Sequence, residues 1–349
     1  MWRTNRLDRD NGDDGDDKDD KDDAISRRGE AALPTKDDAI RDLFTREPAN
    51  PILTAEDWPY RVNTVFNPGA ATHGGETVLL CRVEDQRGIS HLTVARSPDG
   101  VHGWRVEPKP LLAEDPGDHT SMWGVEDCRV TWVPELGKYV IAYTAYGPSG
   151  PCVALATTED FQSVEKLGAV MPPDDKDAAL LPRRVNGDFI LYHRPVSSRD
   201  GNRGNVWLSR SSDLHHWTAP EPVMASREGP WWDAARIGLG PAPIETEHGW
   251  LGIYHGVKQM PAGPLYRVGL VLFDLDNPAR VIRRSPAWVM GPAAEYETRG
   301  DVPNVVFPTG LVHDKASGEL RLYYGAGDSV VALARAQLGE LLDHLWQSG

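Results

Sequence analysis

The chain has 349 residues, 40% of them hydrophobic, enough for a large core arranged as one big domain or two ordinary ones. Its net charge of −15 argues against nucleic acid or an anionic membrane surface as a partner, since both call for a basic face. No apolar run approaches the ~18 residues of a spanning helix, and the polar, acidic N-terminus does not read as a signal peptide.

Residues 1–23 hold ten Asp against three Arg and two Lys, a local net charge of −5, which leaves −10 of the −15 for the remainder. Residues 1–35 are therefore expected to form a disordered, solvated tail without a catalytic part. From about Ile52 the texture changes to short apolar runs bounded by Gly, Pro, Asp and Asn. They include Thr77–Arg82, Tyr139–Tyr143, Phe189–His193, Trp250–His255 and Leu320–Tyr324. A second apolar run follows each of them: His91–Ala95, Cys152–Ala156, Asn205–Ser209, Arg267–Leu272 and Ser329–Ala334. Aligned on Ala95, Ala156, Ser209, Leu272 and Ala334, these second runs recur at steps of 61, 53, 63 and 62 residues. Helical periodicity is scarce until Ala332–Trp346, where Leu338, Leu341, Leu342 and Leu345 make one apolar stripe. A helix is expected over residues 335–347.

Five repeated β-units without intervening helices predict an all-β, five-bladed β-propeller of four-stranded blades, residues 36–349, with the final helix packed on its outside. A β-sandwich or β-helix would not show five matching hairpins. A propeller gathers polar groups around its axis, where inner-strand ends converge, so residues far apart in sequence can meet there. Cys81, Cys128 and Cys152 show no C-x-x-C spacing and read as free thiols of a reducing, cytoplasmic compartment; no metal site is expected. Twelve Trp against six Phe is a weak pointer to sugar-stacking surfaces.

The most informative stretch is Trp123-Gly124-Val125-Glu126-Asp127-Cys128-Arg129, set before a strand read at Val130–Val133. Charges at the mouth of an apolar strand are costly to desolvate and surface pairing returns little, which leaves acid catalysis, sugar binding or a local ion pair to Arg129. Other polar clusters sit beside strands. These are Asn67-Pro68-Gly69, Arg82 with Glu84-Asp85, Lys176-Asp177 with His193-Arg194, Trp232-Asp233, His255 with Tyr266, and Tyr324 to Asp328. Alone, each fits a turn, an ion pair or edge packing.

In order and wording these segments resemble glycoside hydrolase family 130. The matching pieces are VFNPGA (65–70), CRVED (81–85), GVEDCR (124–129), KDAALLP (176–182), YHRP (192–195), WWDAARIGLGPAPI (231–244), GWLGIYHGV (249–257), YRVGL (266–270), GDVPNVVFPTG (300–310) and YYGAGD (323–328). Cys128 stands where a Pro is expected, and Thr309 where a Cys is common. The resemblance implies a five-bladed propeller that phosphorolyses β-mannosides with inversion, giving α-mannose 1-phosphate. It makes Asp127 the general acid. Partial burial and Glu126 or phosphate would raise its pKa while Arg129 would lower it, and the sequence leaves the balance open. It places Arg82, Lys176, His193, Arg194, His255 and Tyr266 around phosphate. His193 and Arg194 also fit a strand-end histidine and a structural ion pair. Asn67, Asp85, Glu126, Asp233 and Asp328 would bind the mannosyl unit.

Inorganic phosphate is the implied co-substrate and no other cofactor is expected. A phosphorylase needs cations to hold an anionic nucleophile, whereas an inverting hydrolase needs a second carboxylate to activate water. A hydrolase on the same scaffold, a non-catalytic glycan-binding propeller and an arabinanase- or fructosidase-like enzyme are the alternatives. The loops 115–122, 197–205 and 258–265 are expected to choose the acceptor. The terminal helix and residues 36–50 could serve as interface elements of a homo-oligomer.

Overall fold

A computed structural model of the chain describes residues 42–196, 204–218 and 220–348. The expected acidic tail, residues 1–35, lies outside the described residues, as does most of the 197–205 loop.

The chain winds into five antiparallel sheets, each ordered from the axis outward. Blade 1 holds Thr64–His73, Glu76–Glu84, Ser90–Ser97 and Arg105–Val106; blade 2 holds Val125–Val133, Lys138–Gly147, Gly150–Thr158 and Glu165–Ala169. Blade 3 holds Asp175–Leu180, Phe189–Pro195, Val206–Ser211 and Glu221–Met224. Blade 4 holds Arg236–Leu239, Gly249–Met260, Gly263–Phe273 and Val281–Arg284, with Ile244–Thr246 also paired to its second strand. Blade 5 holds Val306–Asp314, Glu319–Ala326 and Val330–Gln337, and its outermost strand is Thr45–Arg46 from the start of the described chain. The repeat predicted on Ala95, Ala156, Ser209, Leu272 and Ala334 falls on the third strand of every blade.

Period-two alternation lets one strand serve two cores. In Glu76–Glu84, Val78 and Leu80 pack with Val125, Ile141 and Ala154 of blade 2. Leu79, Cys81 and Val83 point the other way, to Tyr323, Val331 and Leu333 of blade 5. The ring is closed by Thr45 and Arg46 pairing with Arg335 and Ala334. Residues 44–46 are thus built into the propeller, where an interface element was expected; Phe44 is buried in the core of blades 4 and 5.

Three boundaries differ from the sequence reading. The last strand runs to Gln337, so the helix is Leu338–Gln347 and starts three residues later than expected; Leu341 and Leu345 bury its stripe. Residues 258–265 do not form a loop. They extend a hairpin with Lys258 opposite Leu265 and Met260 opposite Gly263. The inner strand of blade 2 begins at Val125 and already contains Glu126 and Asp127. A pattern search discards charged residues from a strand, whereas here they face a polar axis.

The inner strands carry the feature that positions the site. Register breaks at Phe66–Gly69, Glu126–Arg129 and Lys176–Ala179 in blades 1, 2 and 3. At each break one non-glycine residue takes a left-handed backbone: Asn67 (φ +43°), Asp127 (φ +49°) and Asp177 (φ +55°). Bulges of this kind bend the strand and re-aim a side chain, at a local cost of order 1–3 kcal/mol.

Candidate active site

Asp127 is buried, and its Oδ1 accepts hydrogen bonds from Asn67 Nδ2 at 2.8 Å and Arg82 Nη1 at 3.0 Å. Arg82 also donates to Glu126 Oε1 at 3.2 Å and to Ser90 Oγ at 2.9 Å, and its guanidinium lies over the Phe66 ring at 4.6 Å. Two residues beyond Asp127, Arg129 turns inward, bonding the Asp127 carbonyl at 2.9 Å, Leu239 O at 3.1 Å and Asp177 Oδ1 at 3.2 Å. Asp177 is the second hub. Arg194 Nε donates to its Oδ2 at 2.6 Å, and His255 Nε2 stands 3.6 Å from the same oxygen. His255 packs on Phe307 at 4.6 Å, and Tyr266 accepts a 2.7 Å hydrogen bond from Arg236. Among the described residues, Lys176 donates no hydrogen bond from Nζ, though its charge is felt by both Asp127 and Asp177.

Electrostatics separates the carboxylates. Burial pushes the Asp127 pKa up, but Arg82, Lys176, Arg129 and the Asn67 amide together outweigh it, so the net shift is downward. The sequence left open which influence prevails; with Glu126 bonded to Arg82, the cations dominate the free site. Asp177 is held well below the usual carboxylate range because the Arg194, Arg129 and Lys176 charges outweigh its burial. Burial lowers His255 to about 3 against the pull of the Asp177 charge, which leaves its ring neutral near pH 7. Asp328, in the left-handed backbone region at φ +48°, is raised to about 6 by burial and then by the Asp127 charge, against Arg82.

Asn67, Arg82, Glu126, Asp127, Lys176, Arg194, His255, Tyr266 and Asp328 thus belong to one connected set around the axis. Three predicted residues do not. His193 is buried with Nδ1 2.5 Å from Asp175 Oδ2 and Nε2 3.0 Å from Ser209 Oγ, so neither nitrogen is left for phosphate. Asp85 closes a turn, accepting from the Arg87 and Ile89 amides at 2.7 and 3.3 Å, with its other oxygen on Arg87. Asp233 is fully buried, its Oδ2 bound by Arg227, Arg284 and Tyr254 at 2.8, 2.6 and 3.0 Å. It lies against Gly256, on the opposite sheet face from His255. Lone acidic residues near a strand end look alike in sequence; these two differ from Asp127 in what surrounds them.

Asp177, Arg129, Arg236 and Phe307 were given no site role from sequence. For Asp177 the signal is structural: it occupies in blade 3 the bulge position of Asn67 and Asp127. Among the described residues no group of His, Cys, Asp and Glu is arranged to hold a metal ion, and Cys81, Cys128 and Cys152 are free and buried. No helix of the described residues is long and apolar enough to cross a membrane.

A carboxylate and a cluster of cations meet on the axis of this five-bladed propeller, an arrangement that suits acid catalysis beside an anionic group. A family model described as beta-1,4-mannooligosaccharide phosphorylase matches residues 37–347. The beta-1,4-mannooligosaccharide phosphorylase of Ruminococcus albus is 30% identical over 312 residues, covering 87% of this chain and 91% of that protein. The structure of a beta-1,2-mannobiose phosphorylase from Listeria innocua, in complex with beta-1,2-mannobiose, superposes with a TM-score of 0.80 at 27% identity. That match covers 87% of this chain and 99% of the other. A third structure, with a TM-score of 0.75 at 26% identity over 87% of this chain and 96% of its own, comes from work on glycoside hydrolases of the same family that target beta-1,2 mannosidic linkages. The chain belongs to glycoside hydrolase family 130.

Proposed function

We propose that this protein phosphorolyses β-mannosides with inversion, releasing α-mannose 1-phosphate and a shortened acceptor. One observation carries the reading: the buried Asp127 shares the axis with cations that internal carboxylates do not all consume. Lys176 is without a hydrogen-bonded partner among the described residues, and Arg236 donates to the Tyr266 hydroxyl and not to a carboxylate. Such a set suits an oxyanion nucleophile.

In this reading a hydrogen-phosphate oxygen attacks the anomeric carbon from the face opposite the glycosidic bond. That bond breaks with its electron pair leaving on the acceptor oxygen. The oxygen takes a proton that originates on Asp127, directly or through a sugar hydroxyl. The proton lost by hydrogen phosphate restores Asp127, so the reaction balances without a further reagent. The free site holds Asp127 ionised. A phosphate anion bound at Lys176, Arg194 and Tyr266 offsets the cations that depress its pKa, which favours the acid form when both substrates are present. Asn67, Glu126 and Asp328 orient the mannosyl unit. The enzyme works in the cytoplasm, where phosphate is plentiful.

The test is product analysis on β-mannobioses with and without inorganic phosphate. Phosphate-dependent release of α-mannose 1-phosphate is the expected outcome; free mannose formed at the same rate without phosphate would replace this reading with a hydrolase.

A further inference from the structure

The mouth of the site carries an aromatic pair that the chemistry above leaves unused. Trp123 is 45% exposed and Tyr146 38% exposed, and their rings meet edge to face at 5.5 Å. Their backbones are locked together, Trp123 N donating to Tyr146 O at 2.9 Å and Tyr146 N to Gly124 O at 3.0 Å. Gly124 has φ +129°, and a β-carbon there would come within 2.9 Å of Ser90 O, so the turn that carries the indole to Tyr146 depends on glycine.

The pair lies on the path out of the site. Glu126 stands opposite Thr144, so Tyr146, two residues on, shares the sheet face of Glu126 one step nearer the mouth. Trp123 lies four positions before Asp127, at most about 13 Å away along the chain at ~3.3 Å per residue. The other exposed indoles are differently placed. Trp231 and Trp346 each lie beneath a guanidinium, Arg227 at 4.8 Å and Arg283 at 4.6 Å. Trp132 is at the far end of the inner strand and packs on Tyr139. Among the described residues, Trp123 is the exposed indole whose backbone and ring are both tied to the neighbouring strand where it runs from Thr144 toward Tyr146.

We propose that Trp123, braced by Tyr146, is a stacking platform for a sugar ring of the acceptor chain, and that it makes the protein selective for manno-oligosaccharides longer than two units. The C–H face of a pyranose is apolar and matches an indole face, and a rigid platform loses little entropy on binding. The inference rests on the phosphorolytic reading of the site.

The experiment compares the wild-type protein with Trp123→Ala on β-1,4- and β-1,2-linked manno-oligosaccharides of two to five units, with phosphate. In the wild type KM is expected to fall beyond two units in one linkage series. In Trp123→Ala the KM for those longer chains rises about tenfold, with kcat and the disaccharide constants within twofold of the wild type. An equal effect at all lengths, or no effect, overturns the proposal. A second readout does not depend on turnover: the same sugars are titrated into Asp127→Asn by tryptophan fluorescence, with Asp127→Asn/Trp123→Ala as the control. Length-dependent binding lost with Trp123 supports the platform even where no mannose 1-phosphate forms; binding that ignores length overturns it.

Discussion

Asp127 and Asp328 both feel the Arg82 guanidinium yet titrate in opposite directions. Asp127 has two donors on one oxygen and three cations nearby, so its ionised form is favoured. Asp328 is half-buried, and among the described residues it accepts no hydrogen bond, so the neighbouring Asp127 charge adds to the cost of desolvation. Replacing Asp127 with Asn should lower kcat by roughly 10²–10⁴-fold, the range of a lost general acid, while phosphate still binds; steady-state kinetics and calorimetry check both. For Asp328 the sign of the pH dependence follows from linkage. Its folded pKa of about 6 lies above the ordinary 3.8, so the folded state binds more protons between these values and stability falls as pH rises through that window. Asp328→Asn should therefore stabilise the protein at pH 7.5, by at most about 3 kcal/mol, and have little effect near pH 3.5. Thermal melts of both proteins at the two pH values measure this, and turnover of the variant should fall because the mannosyl unit loses a partner.

At the scale of elements, the bulges of the inner strands do what a regular strand could not. They turn Asn67, Asp127 and Asp177 out of the alternation and toward the axis. Their conformation is held from neighbouring blades. A β-carbon on Gly325, in the second strand of blade 5, would lie 1.8 Å from Asn67 Oδ1. Gly325→Ala should displace Asn67 and with it the hydrogen bond to Asp127. A loss on the order of 10–100-fold in kcat is expected, without loss of β-sheet by circular dichroism, since small misplacements at a reacting centre carry costs of that size. The hairpins of strands two and three were readable in sequence because their Leu, Ile, Val and Ala alternate between two cores. Only part of each inner strand was readable: Val130–Val133 was found, and Val125–Arg129 was not, because a bulge breaks the period there. His193 shows the same limit. Its neighbour Arg194 reaches Asp177 while His193 turns to Asp175 and Ser209, and adjacent residues of one motif thus serve opposite sheet faces.

On the scale of the whole molecule, the ring depends on a contact between distant parts of the sequence. Arg46, in the outermost strand of blade 5, bonds Glu297 through Nε at 2.7 Å and Nη2 at 2.9 Å, and Gly291 O at 2.6 Å. Glu297 is fully buried and also accepts from Tyr324 Oη at 2.8 Å. Arg46→Ala would leave that buried carboxylate without its counter-ion, held only by Tyr324 and the Ala293 and Ala294 amides, with an expected cost of about 3–5 kcal/mol and a thermal midpoint lower by roughly 5–8 °C in calorimetry. The amino-acid sequence by itself determined the five-fold repeat, the outer hairpins, the apolar stripe of the last helix and the family to which the chain belongs, because these rest on local periodicity and on ordered short motifs. Tertiary structure alone decided that Asp177 joins the groups around Asp127, that Asp85, Asp233 and His193 are bonded elsewhere, and that the cations around Asp127 outweigh its burial. Burial and charge at the axis are sums over all five blades, and no single stretch of the chain contains them.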